Sequence, residues 1–363
     1  MEKQKGQFEY WFAALPSLSA KKKRKIREQV LSAEELYNIE EKVWDCWTCL
    51  TETEKKAISE SKRTWDTGKR WDLLEKQKIR FVPYTSEAYP ERLKHIADPP
   101  YALYVKGNLP SAEKAAAIVG ARKNTYYGER QAISFAECLA EAGMDVISGL
   151  ARGIDGYAHR GALQAGGKTF AVLAGGVDIC YPREHIGLYM DILERDGGIL
   201  SEQPPGTRPL AYYFPCRNRI ISGLSDVVLV MEAEEKSGSL ITADLALEQG
   251  KDVFALPGNL DSPLSKGCNR LIFQGAGILL GTEELCENLC IFRKNNTKKE
   301  HKKEIMLENA ESLVYNRLGF APKSLEELAG ITKLSVPELT VVLVSLELKG
   351  LIKEIAKHHY VKK

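Results

Sequence analysis

Residues 226–258 read DVVLVMEAEEKSGSLITADLALEQGKDVFALPG, and their pattern indicates the fold class. It holds two short, continuously apolar runs, VVLVM and VFAL, with a longer stretch of helical character between them. Continuous apolar strands separated by helices are typical of a parallel sheet that helices cover on both faces. The stretch therefore predicts a strand–helix–strand unit.

The same alternation extends in both directions, from about residue 78 to about residue 291. The further strand candidates are short and rich in β-branched residues: IRFVPY, YALYVKG, AAAIVG, MDVISG, TFAVLAGG, GGILSE and AGILLG. Longer helical stretches lie between them. We predict an α/β protein whose central domain, residues 78–291, is an extended Rossmann-like fold with a mostly parallel sheet.

Different patterns flank this central domain. Residues 1–77 read as short helices with Ser and Thr at their starts, which predicts a small N-terminal helical domain. Residues 292–306 are basic and lack periodicity, which is typical of a linker. Residues 307–363 give three helices and a β-hairpin, the plan of a winged helix. The third of these helices carries few basic residues, which favours packing or protein contact over the reading of duplex DNA.

The charge balance limits how this chain could bind a polyanion. With 51 Lys and Arg residues against 49 Asp and Glu residues, the chain is nearly neutral, so such binding must come from local clusters. The run from Lys21 to Arg27 is one such cluster, although a solvated helix surface is the commoner fate of a basic run. The N-terminus lacks a signal pattern, and no apolar run approaches the ~18 residues of a membrane span. We therefore predict a cytoplasmic protein without a membrane partner.

The eight cysteines show no disulfide spacing, which indicates reduced thiols. CWTC, residues 46–49, could be a redox pair, or half of a zinc site completed by CENLC, residues 286–290. The first pair lies in a helical region and the second lacks a knuckle turn, so we predict neither. No metal and no cofactor are expected.

The loops that follow the predicted strands are rich in Gly, Ser and Thr: VGARK, SGLARGID, AGGVDICYP, SEQPPGT, EAEEKSGSLITA and PGNLDSPLSKG. In open parallel sheets, ligands bind at the carboxyl ends of the strands, where these loops lie. Glycine lets backbone N–H groups approach an anion, hydroxyls add donors, and helix N-termini add partial positive charge. Several such loops on one edge predict a phosphate-binding surface.

Familiar nucleotide and catalytic motifs are missing from these loops. GALQAGGKT, residues 161–169, has one residue too many for a P-loop, and no G-x-G-x-x-G follows the strands. Ser148, Ser201 and Ser237 lack a histidine base placed by a motif, and His159 and His185 fit helix surfaces better than catalysis. Acidic residues at the strand ends are predicted to position loops and arginines: Asp155, Asp178, Glu202 and Glu232. We predict no catalytic residue and no enzyme.

The segment FPCRNR, residues 214–219, places Arg217 and Arg219 around Asn218, shortly before a buried strand. Guanidinium groups are costly to bury unless an anion meets them. That anion could be internal, from the carboxylates at the strand ends, or it could be a ligand. We assign one arginine to structure and one to a ligand, and the sequence does not say which.

The motifs follow one another in the order DPPYALYVKGNL, IVGAR, SGLARGID, GGVDICYP, SEQPPG, FPCRNRIISGLSD, EAEEKSGSLITA and LPGNLDSPLSKGCNRLIFQGA. This order resembles that of the DprA/Smf family. These are the DNA-processing proteins of bacterial natural transformation. The resemblance covers about residues 78–285. It implies a protein without known catalysis that binds and protects single-stranded DNA, helps load a RecA-type recombinase and forms a homodimer.

Carried over by position, the resemblance implies a site in which arginines grip phosphates and an aromatic ring stacks on a base. Its members are Arg122, Ser148, Gly149, Gly153, Phe214, Arg217, Asn218, Arg219, Ser237, Gly238, Ser239 and Thr242. The segment Gly267–Leu280 would lie near the dimer face, with Leu271, Ile272 and Ile278 as contacts.

The chain departs from the family pattern at several positions. Ser17 and Ser19 stand where the N-terminal hairpin often has glycines, so phosphate binding by that backbone is not expected. Ala211 replaces a residue that is basic in some members, which would weaken the site. KHHY, residues 357–360, lacks the common glycine before the tyrosine, so the wing turn could differ.

Two other functions stay open at this point. SGSLITADLALE loosely resembles the phosphate-and-glutamate signature of nucleoside-monophosphate phosphoribohydrolases through Thr242 and Glu248, although that family's PGGxGT is missing. A nucleotide-binding or nucleotide-hydrolysing enzyme is therefore one alternative. A winged-helix transcription regulator with a ligand-sensing Rossmann-like part is the other.

Overall fold

The structure, a computed structural model, describes residues 2–15, 18–40, 50–292, 307–319 and 322–362. These residues form two units, one built on the N-terminal helices and a large sheet, the other on the C-terminal helices and a small sheet. Most of the predicted linker, together with Ser17 and the CWTC pair, lies outside the described residues. The domain boundaries derived from the sequence stay predictions.

Among the described residues, a mostly parallel, nine-stranded sheet forms the centre of the first unit. This sheet confirms the predicted α/β class. Its strands are β1 (Arg80–Pro83), β2 (Ala102–Gly107), β3 (Ala115–Val119), β4 (Asp145–Ser148), β5 (Thr169–Val172), β6 (Gly198–Ser201), β7 (Val227–Val230), β8 (Asp252–Ala255) and β9 (Gly277–Ile278). The order across the sheet is β1-β2-β6-β5-β4-β3-β7-β8-β9. Every neighbouring pair from β6 to β9 is parallel, whereas β2 runs antiparallel to both β1 and β6.

Helices cover both faces of the sheet because its central strands are buried on both sides. These helices are α6 (Glu91–Lys94), α7 (Tyr126–Glu141), α8 (Ile154–Gln164), α9 (Ile186–Glu194), α10 (Tyr213–Leu224), α11 (Gly238–Glu248), α12 (Pro263–Phe273) and α13 (Thr282–Asn288). Apolar side chains of α10, α11 and α12 share one core with the sheet. Those of α7, α8 and α13 share the core on the other face.

The order of the strands creates a switch point in the middle of the sheet. From β3 the chain adds β4, β5 and β6 on one side, and it then returns to add β7, β8 and β9 on the other. The strands β3 and β7 are hydrogen-bonded neighbours whose following connections leave in opposite directions. A crevice forms outside the carboxyl ends of two such strands, and this is where open α/β sheets bind ligands.

Five short helices lie on the β1–β2 edge of the sheet, among the residues described before residue 77. They are α1 (Glu2–Ala13), α2 (Ala20–Arg27), α3 (Ala33–Asn38), α4 (Glu52–Thr64) and α5 (Thr67–Lys76). Side-chain N-caps start four of them, at Ser19, Ser32, Thr51 and Asp66. The Tyr10 ring of α1 lies 5.7 Å from the Tyr104 ring of β2 and 5.6 Å from that of Phe81 in β1. The helices therefore share a core with the sheet.

The basic run on α2 is largely consumed by internal contacts. Its ion pairs join Lys22 to Glu54 at 2.7 Å, Arg24 to Asp98 at 3.1 Å and Arg27 to Glu9 at 2.8 Å. Lys23 is buried, and its Nζ donates to the carbonyl oxygen of Ala13. The run thus stabilises the position of α2, and of its members only Lys21 and Lys25 are exposed.

Because Lys23 is buried, the free energy of unfolding should change with pH in the alkaline range. Desolvation lowers the pKa of Lys23 from 10.5 to about 8. Between these values the unfolded chain holds a proton that the folded chain lacks, so the free energy of unfolding should rise with pH, by roughly 3 kcal/mol over the whole window. Lys23→Met should remove this rise in denaturant titrations from pH 7 to pH 10, whereas Lys25→Met on the exposed face should keep it. An unchanged rise in Lys23→Met would contradict the assignment.

The second unit has the winged-helix architecture that the sequence predicted. Its helices are α14 (Asn309–Arg317), α15 (Leu325–Thr332) and α16 (Val336–Leu348), and its strands are β10 (Lys323–Ser324), β11 (Ile352–Ala356) and β12 (His359–Lys362). Leu339, Leu343 and Leu346 of α16 are buried in the core of this unit. The turn between β11 and β12 holds His358 at a φ of 60°, where a glycine would be unstrained.

The described residues contain no single helix that is long and apolar enough to cross a membrane; α15 and α16 pass the length and composition test only as a pair bent by 108°. Nor do three or more His, Cys, Asp or Glu side chains in this part of the chain group in a way that could hold a metal ion. Cys286 and Cys290 of the CENLC segment are free thiols.

Candidate nucleic-acid interface

A cavity of about 230 Å³ lies at the switch point between β3 and β7. Its walls come from the loops after β3 and β4, from α10 and from the start of α11. Strand ends, glycine-containing loops and a helix N-terminus thus meet around one space, the arrangement that favours anionic ligands. The convergence of these loops is what the sequence pattern predicted.

Most of the residues that the family resemblance implied line this cavity: Arg122, Phe214, Arg217, Asn218, Ser237, Gly238, Ser239 and Thr242. The lining also includes apolar residues that the sequence reasoning missed, Ile221 on α10 and Ile241 on α11. Helical periodicity could have identified both residues, because Ile221 follows Arg217 by one turn and Ile241 follows Ser237 by one turn.

Arg217 is a buried cation in the wall of the cavity, with only 6% of its surface exposed. Its Nη1 donates to the carbonyl oxygen of Val172 at 2.6 Å, and its Nε has no hydrogen-bond partner among the described residues. Burial lowers the pKa of Arg217 to about 10, although the Asp155 carboxylate opposes this shift. The group therefore stays charged at neutral pH while being short of hydrogen-bond acceptors.

Gly149 and Gly153 do not line the cavity, but they make its geometry possible. A Cβ on Gly149 would lie 1.8 Å from Nη1 of Arg217, so only glycine leaves room for the guanidinium. Gly153 has a φ of 74°, and a Cβ there would lie 2.3 Å from the carbonyl oxygen of Ala121. Both glycines thus support the site from behind its surface.

Arg219 lies outside the cavity lining and is held by carboxylates. Its Nη2 donates to both Glu202 oxygens at 2.8 Å, and its Nε lies 3.5 Å from Asp98, which also pairs with Arg24 of α2. Burial alone would lower the pKa of Arg219, but Glu202 and Asp98 outweigh it, so the pKa is raised. The ion pairs give Arg219 a structural position, whereas Arg217 lies at the cavity.

The acidic residues at the strand ends hold loops in place. Asp155 accepts hydrogen bonds from the backbone N–H groups of Gly149 at 3.1 Å and Ala151 at 3.3 Å. Asp178 accepts one from Gly206 at 2.9 Å. Burial raises the pKa of Asp155, against the opposing effect of Arg217. These contacts agree with the positioning role predicted from the sequence.

Other candidate polar side chains point into the interior. The hydroxyl of Ser148 donates to the carbonyl oxygen of Ile118 in the neighbouring strand at 2.6 Å. Nδ1 of His159 lies 2.6 Å from the Thr169 hydroxyl, and burial, together with His185 and Arg217, lowers the pKa of His159 to about 3. The histidines were expected on helix surfaces; instead His159 and His185 are buried. Ser148 and His159 are therefore structural.

Glu248, which a phosphoribohydrolase would require beside the phosphate site, lies elsewhere. It is the last residue of α11, whereas the cavity is lined by the first residues of that helix. Glu248 is exposed and does not line the cavity. The arrangement does not favour the nucleotide-hydrolysing alternative.

Comparison with known families extends this picture. The model of the DNA recombination-mediator protein A family matches residues 80–290, which is more than half of the chain. The chain belongs to this family. The model of the DprA winged helix domain matches residues 299–356. Both matches agree with the resemblance found in the motifs.

Among curated relatives in this family, Protein Smf of Escherichia coli (strain K12) is 42% identical over 287 residues, which cover 77% of this chain and 76% of the relative. The DNA processing protein DprA of Bacillus subtilis is 45% identical over 215 residues, covering 59% and 72%. The X-ray structure of DprA from Streptococcus pneumoniae has a TM-score of 0.66 at 34% identity and covers 77% of this chain and 97% of its own.

A second DprA structure, from Helicobacter pylori, was determined for its single-stranded DNA binding mode. It has a TM-score of 0.53 at 31% identity and covers 59% of this chain and 96% of its own. Together the two structures confirm a DprA-type fold for this chain.

The three dimer residues that the family resemblance suggested differ in how far they are exposed. Leu271 of α12 is 5% exposed and packs into the core with the sheet, which leaves it little surface to offer a partner. Ile272 is half-buried against the same core. Ile278 is exposed, as are Phe273, with 91% of its surface accessible, and Leu280. The helix phase places Phe273 on the side opposite Leu271, which the sequence reasoning missed.

Proposed function

We propose that this chain binds single-stranded DNA at the switch-point cavity, protects the strand and helps load a RecA-type recombinase onto it during DNA uptake and recombination. The family match and the single-stranded DNA binding described for the Helicobacter pylori relative support this function. The chain would act without catalysis, as a binding protein. The observation that most strongly supports this function is the buried, charged Arg217 in the cavity wall.

Burying the charged guanidinium of Arg217 costs free energy. A buried guanidinium is stabilised best by an anion, yet the nearest acceptor that it uses is a backbone carbonyl oxygen. The Asp155 carboxylate compensates part of this charge, and a phosphate in the cavity would add a further negative charge and further acceptor oxygens. The start of α11 would add to this attraction through its partial positive charge, beside the Ser237 and Ser239 hydroxyls.

The cavity also offers a surface for bases. The Phe214 ring is partly buried, and the guanidinium of Arg122 lies 5.1 Å from its centroid. Arg122 is exposed at the mouth of the cavity, followed by the exposed Lys123. A strand can thus place a base against an aromatic or guanidinium plane and its phosphates against cations, the combination that single-strand binders use.

Homodimer formation is part of the proposal. The edge of the sheet beyond β8 carries three exposed apolar residues, Phe273, Ile278 and Leu280. All three belong to the segment that the resemblance assigned to the dimer face. Apolar side chains exposed together are typical of interaction surfaces.

The winged helix fits this function better than it fits a duplex-reading regulator. The exposed side of α16 carries Val341, Val344 and Leu348, and these side chains cannot read base edges by hydrogen bonding. A recognition helix normally presents polar and basic residues to the major groove. We therefore place DNA binding in the first unit.

Fluorescence anisotropy with a labelled oligo-dT over a salt series tests the proposal. We expect the wild type to bind the single strand more tightly than a duplex of equal length. Because Arg122 is proposed to contact a phosphate, Arg122→Ala should lower the slope of log affinity against log salt by about 0.7. Lys25→Ala, which removes an exposed cation on α2, should leave the slope unchanged. Absence of binding by the folded wild type would overturn the proposed function.

A further inference from the structure

An exposed aromatic residue, Tyr181, lies next to Phe214 but does not line the switch-point cavity. The two ring centroids are 6.0 Å apart at an interplanar angle of 65°. Tyr181 belongs to the loop after β5 and has 46% of its surface accessible, whereas Phe214 lies in the first turn of α10. The aromatic surface therefore continues from the cavity mouth toward the β5–β6 side of the sheet.

The loop that carries Tyr181 is held in a defined position. The N–H of Gly176 donates to the Thr207 carbonyl oxygen at 2.9 Å, which ties the loop after β5 to the loop after β6. The buried hydroxyl of Tyr189 donates to the carbonyl oxygen of Val177 at 2.6 Å. A ring on a fixed loop loses little conformational freedom when it binds a flat ligand.

The same two loops carry further aromatic and basic side chains. Arg183 follows the Tyr181 loop, and Arg208 lies in the loop after β6; both are exposed, and neither forms an ion pair with any described residue. Tyr212 has 60% of its surface accessible, and its ring centroid lies 4.1 Å from that of Tyr213 at the start of α10. Aromatic rings interleaved with cations suit a single nucleic-acid strand, which offers bases and phosphates in turn.

The acidic groups around this surface are already occupied. The carboxylate of Glu184 is paired with Arg152, and that of Asp178 accepts from the backbone of Gly206. Their internal contacts reduce the repulsion that a phosphate would meet here. The surface thus favours an anionic ligand with flat groups over an acidic protein segment without them.

We propose that Tyr181 is a second base-stacking platform, which takes the nucleotide next to the one bound at Phe214, while Arg183 and Arg208 contact the adjoining phosphates. This inference rests on the proposed single-strand function and extends the site beyond the cavity. At 65° the two rings do not present one common plane, so each takes a base of its own. The strand then runs from α11 across α10 toward the loop after β5.

The test is the affinity of the full-length protein for oligo-dT after substitution of Tyr181. Tyr181→Ala should weaken binding about ten-fold, within the range measured for loss of one stacked base, and Tyr181→Phe should stay within about two-fold of the wild type. Because no charge is lost, the salt slope of Tyr181→Ala should equal that of the wild type. Phe292→Ala removes an exposed ring elsewhere and should bind like the wild type. Circular dichroism should show that each variant is folded.

An oligonucleotide with abasic sites separates stacking from other causes. If Tyr181 stacks on a base, Tyr181→Ala should have no further effect on an abasic strand that already lacks its partner. If the wild type binds oligo-dT but Tyr181→Ala binds as well as Phe292→Ala, the inference is wrong and the proposed function stands. If the loss in Tyr181→Ala is equal on normal and abasic strands, the ring does not stack, and the inference is again overturned. If the wild type does not bind at all, the proposed function itself fails.

Discussion

Gly149→Ala should abolish tight binding of single-stranded DNA and lower the free energy of unfolding by about 3 kcal/mol, because its methyl group takes the place of a buried guanidinium. The added Cβ would lie 1.8 Å from Nη1 and 2.5 Å from Cζ of Arg217, so the whole group has to move. Arg217 would then lose its bond to the Val172 carbonyl oxygen and its place in the cavity wall. Urea titration and oligo-dT anisotropy measure the two losses.

Gly187→Ala is the matched control for this prediction. Gly187 lies in α9, no atom comes within 4 Å of a Cβ built there, and alanine is the better helix former. This variant should be at least as stable as the wild type and should bind the strand normally. Full stability and full binding in Gly149→Ala would show that the Arg217 position is not required.

Arg217→Met should be destabilised by roughly 3 kcal/mol at pH 7, because it leaves the buried Asp155 carboxylate without its main compensating charge. The double variant Arg217→Met/Asp155→Asn removes both charges and should regain at least the stability of the wild type. Buried charges replaced together by groups of similar size often cost nothing. Denaturant titrations of the two variants and of Asp155→Asn complete the cycle.

The deficit of Arg217→Met should depend on pH in a defined direction. Burial already raises the pKa of Asp155, and loss of Arg217 raises it further. The folded state then holds a proton more tightly than the unfolded state, so the variant is least impaired at acidic pH and loses stability as pH rises through the folded pKa of Asp155. A deficit that is constant from pH 4 to pH 8 would contradict the role of this pair.

The sequence allowed the general location of the site to be predicted, because the relevant signals are local. Apolar runs such as VVLVM identify buried strands, and parallel strands bring their following loops to one edge. The convergence of Arg122, Phe214 and Ser237 follows from those facts and from the family pattern. The winged helix was predictable for the same reason, since each of its elements carries its own start and stop signals.

The division of labour between the two arginines could not be predicted, because it depends on partners far along the chain. Arg219 meets Glu202 and Asp98, whereas Arg217 meets the Val172 carbonyl oxygen, and no pattern around RNR distinguishes them. The basic run on α2 was ambiguous for the same reason, since its ion-pair partners come from α1, α4 and the segment before β2. Such contacts are set by tertiary packing.

The phase of α12 was also beyond the sequence pattern. Three apolar residues follow one another at positions 271–273, and any of them could face the sheet. Packing turned Leu271 inward and Phe273 outward. Tyr181 was missed because a single aromatic residue in a loop has no periodicity, and only its distance from Phe214 indicates a role.

The affinity of the double variant Arg217→Met/Asp155→Asn for oligo-dT is the most direct test of the central claim, that a buried arginine is kept at the switch-point cavity to bind a single strand. Stability and binding are separated in this variant, because its fold is expected to be intact. We expect at least a ten-fold loss of affinity and a smaller salt slope, since one phosphate contact is gone. Wild-type affinity and slope in the folded double variant would mean that Arg217 serves the fold alone and that the strand binds elsewhere.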